Sequence, residues 1–570
     1  MVKAVQKENK ELYQLPDKKR FLFRIIVPAF PSFNIYTKIA KRTTALGPIL
    51  VATSANKLEK WDVEVVDENN CRSGFCPKDY SGRPDHIELQ KIRPADVVGF
   101  YGSLTSTIPR LYKLAELYKK YGVKTAAGGK HIENLPKEAL KNNIDAVVFG
   151  DGEQTIKELL LAWQEGKNLK KTAGLAFLIG RKLFKTKPRK LLTDFEELPL
   201  PDFNLLRYAK MKIYPVSWWR GCPYNCEFCA VKDKTRCAPS ERLLAAVVHL
   251  AETRKAKNFF IVDDHFGGNH YDKKQLEETI KFCRQIAKYR KKFGKKLSFT
   301  VQIRLTAASR PKLLEAMRQA DISTVCIGYE SPIDEELIAM RKGIVSKQMV
   351  ERTKIFHKFG FFIHGMFIFG YPHKKGSVVD KAGLRLSLKD KIKRFGNFIA
   401  RAKIDTVQVL LTVPLPGTEL RQRLKKEGRL YPLRQIGWEY YDGQFPLFKP
   451  DNGVSPEKIQ QAVKKIMSRF YRFNCIIKII FNIGFHFPRV VFPITLTLFT
   501  LRVRHLTKAF KKWRRLYFRN QTRRFGGYLI IRRWLKKFRE GDFLEKLARA
   551  KLQFNKRKAV DKEDGEIFGF

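Results

Sequence analysis

The sequence predicts an α/β protein in which two series of alternating strands and helices follow one another and a basic helical region comes last. Three observations support this prediction. Strand-like runs alternate with helical patterns up to about residue 160, the alternation resumes near residue 210, and strand signals stop after about residue 421. The 570 residues suffice for about two to four domains. A hydrophobic content of 44%, with 43 Phe, excludes a wholly disordered chain.

The first series contains the strand-like runs FLFRIIVPAF, VEVVDE, ADVVGFYG, VKTAAGG and DAVVFGDGE, with helical patterns between them. This order predicts a Rossmann-like, doubly wound parallel sheet over residues 1–165. Ligands of such sheets lie at the carboxyl ends of the strands, so the loops there are candidate binding sites. In the alternative, their glycines only make turns. The candidate residues are Ser103, Leu104, Thr105, Gly128, Gly129, Gly150, Gly152 and Glu153.

Residues 166–205 are rich in Lys and Pro and are predicted to be a linker. The second series follows over residues 206–425, with the runs KIYPVSWWRGC, NFFIVDDHF, LSFTVQIRL, TVCIGYES, FFIHGMFIFGYP and DTVQVLLTVPLPG. Six such strands in order predict a partial (βα)6, TIM-like barrel, whose chemistry would lie at the strand ends. Residues 426–570 are predicted to form a small, basic, α-helical domain.

The chain is expected to be cytoplasmic. Its first 20 residues contain no apolar core of a secretory signal, and nine Cys in 570 residues is a low density. The thiols are therefore expected to serve metal or redox chemistry. The most apolar stretch, residues 476–501, is interrupted by Lys478, Pro488, Arg489 and Pro493, which argues against a spanning helix.

Three cysteines lie directly after the first strand of the second series, in RGCPYNCEFCAV. Cys222, Cys226 and Cys229 form a C-x3-C-x2-C array. Three thiolates on one short loop can bind three irons of a [4Fe–4S] cluster and leave the fourth iron open to a substrate. The alternative is a structural zinc site with Cys237 as the fourth ligand.

The segment from Cys222 to Cys229 resembles the signature loop of the radical S-adenosylmethionine (SAM) enzymes. The resemblance implies that SAM chelates the open iron and is cleaved reductively to methionine and a 5′-deoxyadenosyl radical. It places the aromatic ring of Phe228 by the adenine. The three cysteines would then be both the metal ligands and the catalytic centre.

Further segments match the radical SAM pattern in chain order. They include Gly370-Tyr371-Pro372 and Pro414-Leu-Pro-Gly-Thr418. Glu330 and Arg304 are plausible SAM ligands, because a carboxylate can hold a ribose hydroxyl and a guanidinium can hold the SAM carboxylate. Each residue also has an ordinary alternative as a helix cap, an ion-pair partner or a turn. The resemblance implies cofactor-binding roles for Asp263, Asp264, Arg304, Glu330 and Ser331.

Residues 20–160 resemble the cobalamin (B12)-binding domain that precedes the radical domain in one subgroup. The matching elements are VEVVDENN, the loop Ser103–Ser106, Ala127-Gly128-Gly129 with His131, and FGDGEQT. The D-x-H-x-x-G motif of other cobalamin proteins is missing, since neither His86 nor His131 fits it. A Rossmann-like domain without a ligand is the alternative.

The two resemblances together imply a cobalamin-dependent radical SAM enzyme. The expected reaction is methylation of an unactivated carbon of a hydrophobic substrate, with an electron donor such as flavodoxin or ferredoxin. The layout is also similar to radical methylases of polycyclic membrane lipids such as hopanoids. Alternatives are a radical SAM cyclase or rearrangement enzyme, a radical SAM enzyme that modifies RNA, and a cofactor-binding protein without activity.

The charge balance predicts an anionic partner, because 112 Lys and Arg face 56 Asp and Glu, a net charge of +56. The excess is densest in residues 502–560, which hold 21 basic and 3 acidic residues among aromatic and apolar side chains. This mixture favours peripheral attachment at the inner face of a membrane. RNA binding and a solvated helical surface are the alternatives.

Overall fold

The computed structural model describes residues 14–72, 74–192, 195, 198–374, 386–496, 510, 518–537 and 541–555. The chain divides into two compact units. The first unit contains Met1–Asp264, Val413–Asp442 and Phe543–Phe570. The second unit contains His265–Thr412 and Gly443–Asp542.

An eight-stranded sheet forms the centre of the first unit, in the order β7-β6-β5-β4-β3-β1-β2-β8. Strands β1 to β5 pair in parallel, as the alternation of strands and helices predicted. β1 lies between β2 and β3, so the strand order reverses there, as in doubly wound folds. The strands are β1 (Phe21–Val27), β2 (Trp61–Asp67), β3 (Val97–Tyr101), β4 (Lys124–Gly128), β5 (Ala146–Val148), β6 (Leu175–Ile179), β7 (Lys182–Lys185) and β8 (Leu206–Arg207).

Helices connect these strands, and their apolar faces cover the sheet. In the helix Ile108–Lys120, three apolar residues are at most 2% exposed, as is expected of an amphipathic crossover helix: Leu111, Leu114 and Ala115. The helices are α1 (Thr37–Ala40), α2 (Leu46–Ala55), α3 (His86–Ile92), α4 (Ile108–Lys120), α5 (Lys130–Asn134), α6 (Pro136–Lys141) and α7 (Gly152–Gln164).

The segment predicted to be a linker, residues 166–205, contains two strands of this sheet, and a third strand, β8, follows it directly. β6 pairs antiparallel with β5 and with β7, and β8 pairs in parallel with β2. The turn between β6 and β7 includes Gly180, whose φ of +58° suits glycine. The high Lys and Pro content of residues 166–205 obscured the apolar alternation in this hairpin.

The second strand series begins in the first unit. There β9 (Tyr214–Val216) pairs in parallel with β12 (Asn258–Ile261), and α8 (Ser240–Thr253) lies between them in the chain. A two-stranded antiparallel ribbon, β10 (Trp219–Arg220) and β11 (Arg236–Cys237), brackets the cysteine loop in sequence. Helices α14 (Glu419–Lys426) and α15 (Leu433–Ile436) also belong to this unit.

Four parallel strands form the centre of the second unit. With β9 and β12 of the first unit, they account for the six predicted strands in chain order. They are β13 (Ser298–Gln302), β14 (Ile322–Glu330), β15 (Phe362–Phe369) and β16 (Thr406–Leu411). The helices that accompany them are α9 (Lys273–Lys292), α10 (Pro311–Gln319), α11 (Asp334–Ala339), α12 (Ser346–Lys358) and α13 (Leu388–Arg401).

Most of the described C-terminal region is helical, as predicted, although residues 441–455 form turns and loops. The helices are α16 (Pro456–Phe470), α17 (Asn474–Leu496), α18 (Arg519–Lys537) and α19 (Gly541–Asn555). Much of the basic region 502–560 lies outside the described residues. In its described part Trp534 is buried and donates to Gln444 at 2.7 Å, so this ring packs inside the second unit. None of the described helices combines the length and apolarity needed to cross a bilayer.

Candidate cofactor site

A cavity of about 420 Å³ lies at the carboxyl ends of the parallel strands in the first unit. It opens where the strand order reverses between β1 and β3, the usual ligand position of a doubly wound sheet. Six of the eight candidates from the first series line it: Ser103, Gly128, Gly129, Gly150, Gly152 and Glu153. Asp264 and the turn from Ser217 to Gly221 complete one wall.

Glycine at position 129 makes the cavity floor possible. Its φ is +116°, and a Cβ there would lie 2.4 Å from Ser103 Oγ and 2.7 Å from Ser103 N. Any side chain would therefore push the Ser103 loop away. Together with Ala126, Ala127 and Gly128, Gly129 gives the cavity a floor of small residues.

Two predicted candidates lie outside the cavity lining. Leu104 is 42% exposed, and Thr105 contacts His131 Nδ1 through its hydroxyl at 3.2 Å. His131 is buried with its ring against Trp438, at a centroid distance of 4.8 Å. Burial lowers the pKa of His131. No histidine occurs among the described residues that line the cavity.

An ion-pair cluster closes one side of the cavity. Arg220 on β10 donates to Asp151 Oδ1 at 2.7 Å and to both carboxylate oxygens of Glu153. Arg236, which faces Arg220 across the ribbon, donates to Asp151 Oδ2 at 2.6 Å. Phe195 lies under both guanidinium groups, at 5.0 and 5.8 Å. Asp151 and Glu153 therefore hold the β10–β11 ribbon in place through its two arginines.

The charges of this cluster stabilise one another despite their burial. Asp151 also accepts from the backbone N–H of Leu192 at 2.9 Å. Burial raises the pKa of Asp151, but its hydrogen bonds with Arg236 and Arg220 outweigh that effect, so the pKa lies below its usual range. The pKa of Arg220 is raised by the same carboxylates against the effect of burial.

Asp263 supports the turn that precedes the cysteine loop. Its Oδ1 accepts from Ser217 Oγ at 2.7 Å and from the backbone N–H groups of Trp218 and Trp219, each at 3.1 Å. The residue is 1% exposed, and burial raises its pKa to about 7. Asp264 accepts from the Gly221 N–H, and desolvation raises its pKa. Asp263 is thus a positioning residue for the turn, while Asp264 faces the cavity.

The cysteine loop itself is anchored by two cations that no local pattern distinguishes from the other Lys and Arg of the chain. Arg423 of α14 donates to both oxygens of the buried Glu227, at 2.8 and 3.1 Å. Lys232 donates to the carbonyl of Cys226 at 2.9 Å and to Glu419 at 3.2 Å. Both anchors involve α14, so the loop is held from outside its own sequence.

The thiol of Cys229 is influenced by its surroundings in the loop. Burial raises the pKa of Cys229, and the neighbouring Cys226 and Cys222 raise it further. The backbone N–H of Val231 donates to Cys229 Sγ at 3.4 Å and opposes that rise. Phe228 is half-buried in the same loop. Cys237, the fourth ligand of the zinc alternative, is exposed on β11.

In the second unit, Arg304, Glu330 and Lys342 form a group at the strand ends. Glu330 ends β14 with a φ of +61°, a backbone conformation that is uncommon for residues other than glycine. Lys342 Nζ donates to Glu330 Oε1 at 2.7 Å, and Arg304 donates to the Lys342 carbonyl. Ser331 is buried, and its hydroxyl donates a hydrogen bond to Glu336 in the first turn of α11.

Comparison with known proteins identifies the two parts of the chain. The model of the Radical SAM superfamily matches residues 216–380, and the model of the B12 binding domain matches residues 35–160. The chain is a B12-dependent radical SAM enzyme. The cysteine loop lies inside the first match, and most of the cavity floor lies inside the second.

Relatives of this radical SAM enzyme include methyltransferases. An uncharacterised methyltransferase of Pyrococcus horikoshii is 28% identical over 418 residues, which cover 71% of this chain and 84% of the relative. The hopanoid C-2 methylase of Rhodopseudomonas palustris is 26% identical over 253 residues, or 44% of each chain. The enzyme is thus similar to proteins described as methyltransferases, in one case over most of its length.

A solved structure shares the fold of the enzyme. The cobalamin-dependent SAM radical enzyme OxsB, with aqua-cobalamin bound, superposes with a TM-score of 0.59 at 12% identity. The match covers 91% of this chain and 84% of OxsB. The expected α/β architecture of the radical SAM enzyme is thereby confirmed.

The cofactors of this radical SAM enzyme are a [4Fe–4S] cluster, SAM and cobalamin. The cavity in the first unit is suitable for a corrinoid, because small residues leave its floor open at the strand ends. The cysteine loop offers the three thiolates that an open cluster needs. Within the described chain, no three His, Cys, Asp or Glu side chains converge on one metal ion. Cysteines of a cluster bind different irons and need not converge in that way.

Proposed function

We propose that the enzyme methylates an unactivated carbon of a hydrophobic substrate, with SAM, a [4Fe–4S] cluster and cobalamin as cofactors. One observation carries this proposal. The wall of the cavity in the first unit includes Ser217, Trp219, Arg220 and Gly221, which lead directly into Cys222. A corrinoid in that cavity would be a near neighbour, along the chain, of the loop proposed to hold the cluster.

In this proposal the loop thiolates of Cys222, Cys226 and Cys229 bind three irons. When bound, the cluster and SAM would supply a radical that removes hydrogen from carbon, and cobalamin would supply the methyl group, which derives from another SAM molecule. The chain contributes position: Arg423 and Lys232 fix the loop through Glu227 and the Cys226 carbonyl. Fixed geometry of this kind lowers the entropic cost of bringing reacting groups together.

We assign SAM binding to the polar group of the second unit. The Glu330 carboxylate would accept from the ribose hydroxyls, with Lys342 holding it in place at 2.7 Å. The Arg304 guanidinium would pair with the SAM carboxylate. The left-handed backbone of Glu330 supports a functional role, because such strain persists where a side chain must be aimed. Phe228 would lie by the adenine, as in the family pattern.

A hydrophobic substrate is supported by the relationship to a hopanoid C-2 methylase. The charge excess of +56 supports a location at the inner face of a membrane, where such a substrate would be found. A reductant such as flavodoxin or ferredoxin would supply the electron for SAM cleavage.

The test is transfer of label from [methyl-²H3]SAM to cell fractions under anaerobic conditions. Mass spectrometry should find deuterated methyl groups in the lipid fraction and none in total RNA. Cys226→Ala should abolish both the label and 5′-deoxyadenosine. The matched control Cys237→Ala, which removes an exposed thiol nearby, should retain both. Label in RNA, or activity in Cys226→Ala, contradicts the proposal.

A further inference from the structure

A second cavity, of about 1150 Å³, lies in the second unit where strands β15 and β16 begin. Phe361 and Ile404, the residues that lead into these strands, lie in its wall. Helices α12, α13, α16, α17 and α18 supply the remaining walls. Arg304 and Glu330 follow or end strands of the same parallel set, so this cavity lies at the opposite strand ends from the proposed SAM ligands.

The lining of this cavity is strongly basic. Its cations are Lys354, Lys358, Arg401, Lys403, Lys465, Arg469, Arg472, Lys478 and Arg524. Asp405 is the single carboxylate in the described lining. It accepts from Arg524 at 2.6 Å and from the backbone N–H of Ile363 at 2.8 Å. His357 also faces it, at 3.9 Å.

The described residues offer no such compensation to the other eight cations, all of which are exposed at the rim of the cavity. None of them forms an ion pair with an acidic side chain in the part of the chain that the structure describes. Like charges gathered around one cavity repel one another, and an anionic ligand would relieve that repulsion. The cavity therefore has the charge and size for a multivalent anionic group.

Helix α17 joins this cavity to an exposed apolar surface. Asn474, Cys475, Lys478, Ile479 and Asn482 recur at helical spacing and line the cavity. A second set recurs three or four residues apart on the other side of the helix. Ile477, Ile480 and Phe481 of that set are 55%, 64% and 62% exposed, and Phe473, which immediately precedes the helix, is 65% exposed. A helix with cations on one side and exposed apolar groups on the other is typical of membrane-interface elements.

We propose that this cavity binds the phosphate headgroup of an anionic phospholipid while the apolar side of α17 inserts among the acyl chains. Clustered Lys and Arg beside an amphipathic helix recognise such headgroups. Ile477 and Ile480 favour lipid over RNA, because an aliphatic side chain offers no ring on which a base can stack, whereas the rings of Phe473 and Phe481 suit either partner. The inference rests on the proposed membrane-associated substrate and gives that membrane location a binding site.

The test is co-sedimentation of the full-length enzyme with phosphatidylcholine vesicles and with vesicles that contain phosphatidylglycerol as well. The variant Lys403→Gln/Arg469→Gln/Lys478→Gln removes three cavity cations. The matched control Arg284→Gln/Lys288→Gln/Lys291→Gln removes three exposed cations of α9 in the same unit. A third variant, Ile477→Ser/Phe481→Ser, removes apolar surface and no charge. Circular dichroism checks that each variant is folded.

Wild type should bind the anionic vesicles and not the neutral ones. The cavity variant should bind at least about tenfold more weakly, and the control should change little. The Ile477→Ser/Phe481→Ser variant should also lose affinity. Equal loss in the cavity variant and its control would show general attraction and overturn the site, as would unchanged binding of the apolar variant.

Two further outcomes would overturn the inference. One is failure of the wild type to bind anionic vesicles, and the other is preference for a competing single-stranded RNA through the same cations. 5′-Deoxyadenosine formation, measured in parallel, separates this inference from the proposed function. A wild-type enzyme that cleaves SAM but does not bind anionic vesicles would overturn the lipid site alone.

Discussion

Arg220 donates to Asp151 at 2.7 Å, and this contact joins two loops that lie 69 residues apart in the chain. Asp151 follows β5 and precedes α7, in the part that matches the B12 binding domain. Arg220 ends β10, two residues before the first cysteine of the loop. The cavity floor and the cysteine loop therefore share one ion-pair cluster within the first unit.

Arg220→Gln should destabilise the first unit and lower its cobalamin content. The substitution leaves Asp151 with Arg236 alone and removes the guanidinium that pairs with Glu153; these carboxylate side chains are 8% and 5% exposed. The expected loss in the free energy of unfolding is about 1–3 kcal/mol. Denaturant unfolding and the cobalt content of the purified protein measure the two effects.

The control for this prediction is Arg181→Gln at an exposed position of the β6–β7 turn. That change should alter the free energy of unfolding by less than about 0.5 kcal/mol. Equal stability and equal cobalt content in Arg220→Gln and Arg181→Gln would show that the cluster does not support the cavity.

Gly129→Ala should cost more stability than Gly122→Ala. Both glycines have positive φ, +116° and +70°, so both substitutions introduce backbone strain. At Gly122 a Cβ meets nothing within 4 Å, whereas at Gly129 it would lie 2.4 Å from Ser103 Oγ. We expect about 1 kcal/mol for Gly122→Ala and at least about 2 kcal/mol for Gly129→Ala. Cobalamin should be lost only from Gly129→Ala, and matching losses would contradict the cavity floor described above.

Asp263 should make the stability of the protein depend on pH. Its pKa rises from 3.8 to about 7 on folding, so the folded protein binds this proton more tightly than the unfolded chain. The stabilising contribution is complete below about pH 4 and is lost as the pH rises through about 7. Asp263→Asn cannot titrate, so the free energy of unfolding of wild type relative to this variant should fall between about pH 4 and 7.

Chemical denaturation at several pH values measures this difference. The control is Asp17→Asn, which removes an exposed carboxylate of the same unit. If the profiles of Asp263→Asn and wild type are parallel, Asp263 is not the titrating group.

Glu330→Gln should weaken SAM binding without loss of the cluster. A hydrogen bond to a charged group is worth about 1.5–3 kcal/mol, so the dissociation constant should rise about tenfold or more. Glu335→Gln, a substitution in the first turn of α11, is the matched control. Anaerobic binding of SAM to the cluster-loaded protein measures both. Unchanged affinity in Glu330→Gln, with iron content equal to wild type, would remove Glu330 from the proposed SAM site.

Local sequence patterns predicted the strands and the cysteine loop because both are determined over a few residues. β1 to β5 follow from β-branched runs, and the C-x3-C-x2-C array is visible without any tertiary information. The β6–β7 hairpin escaped prediction, because its alternation covers only a few residues in a Lys- and Pro-rich segment.

Contacts over long sequence distances could not be predicted in the same way. Lys342 is 12 residues from its partner Glu330, and Arg423 is 196 residues from Glu227. Nothing in the local sequence distinguishes these cations from the other Lys and Arg of the chain. The loop position of Glu153 predicts a cofactor ligand. Only the fold reveals that Arg220 donates hydrogen bonds to both oxygens of its carboxylate.

The most direct test of the account is the iron, sulfide and cobalt content of anaerobically purified wild type, Cys226→Ala and Gly129→Ala. We expect about four irons, four sulfides and one cobalamin per wild-type chain. Cys226→Ala should lose iron and sulfide but keep cobalamin, and Gly129→Ala should show the reverse. A wild-type protein that takes up the cluster but no cobalamin would contradict the central claim that one chain holds both cofactors.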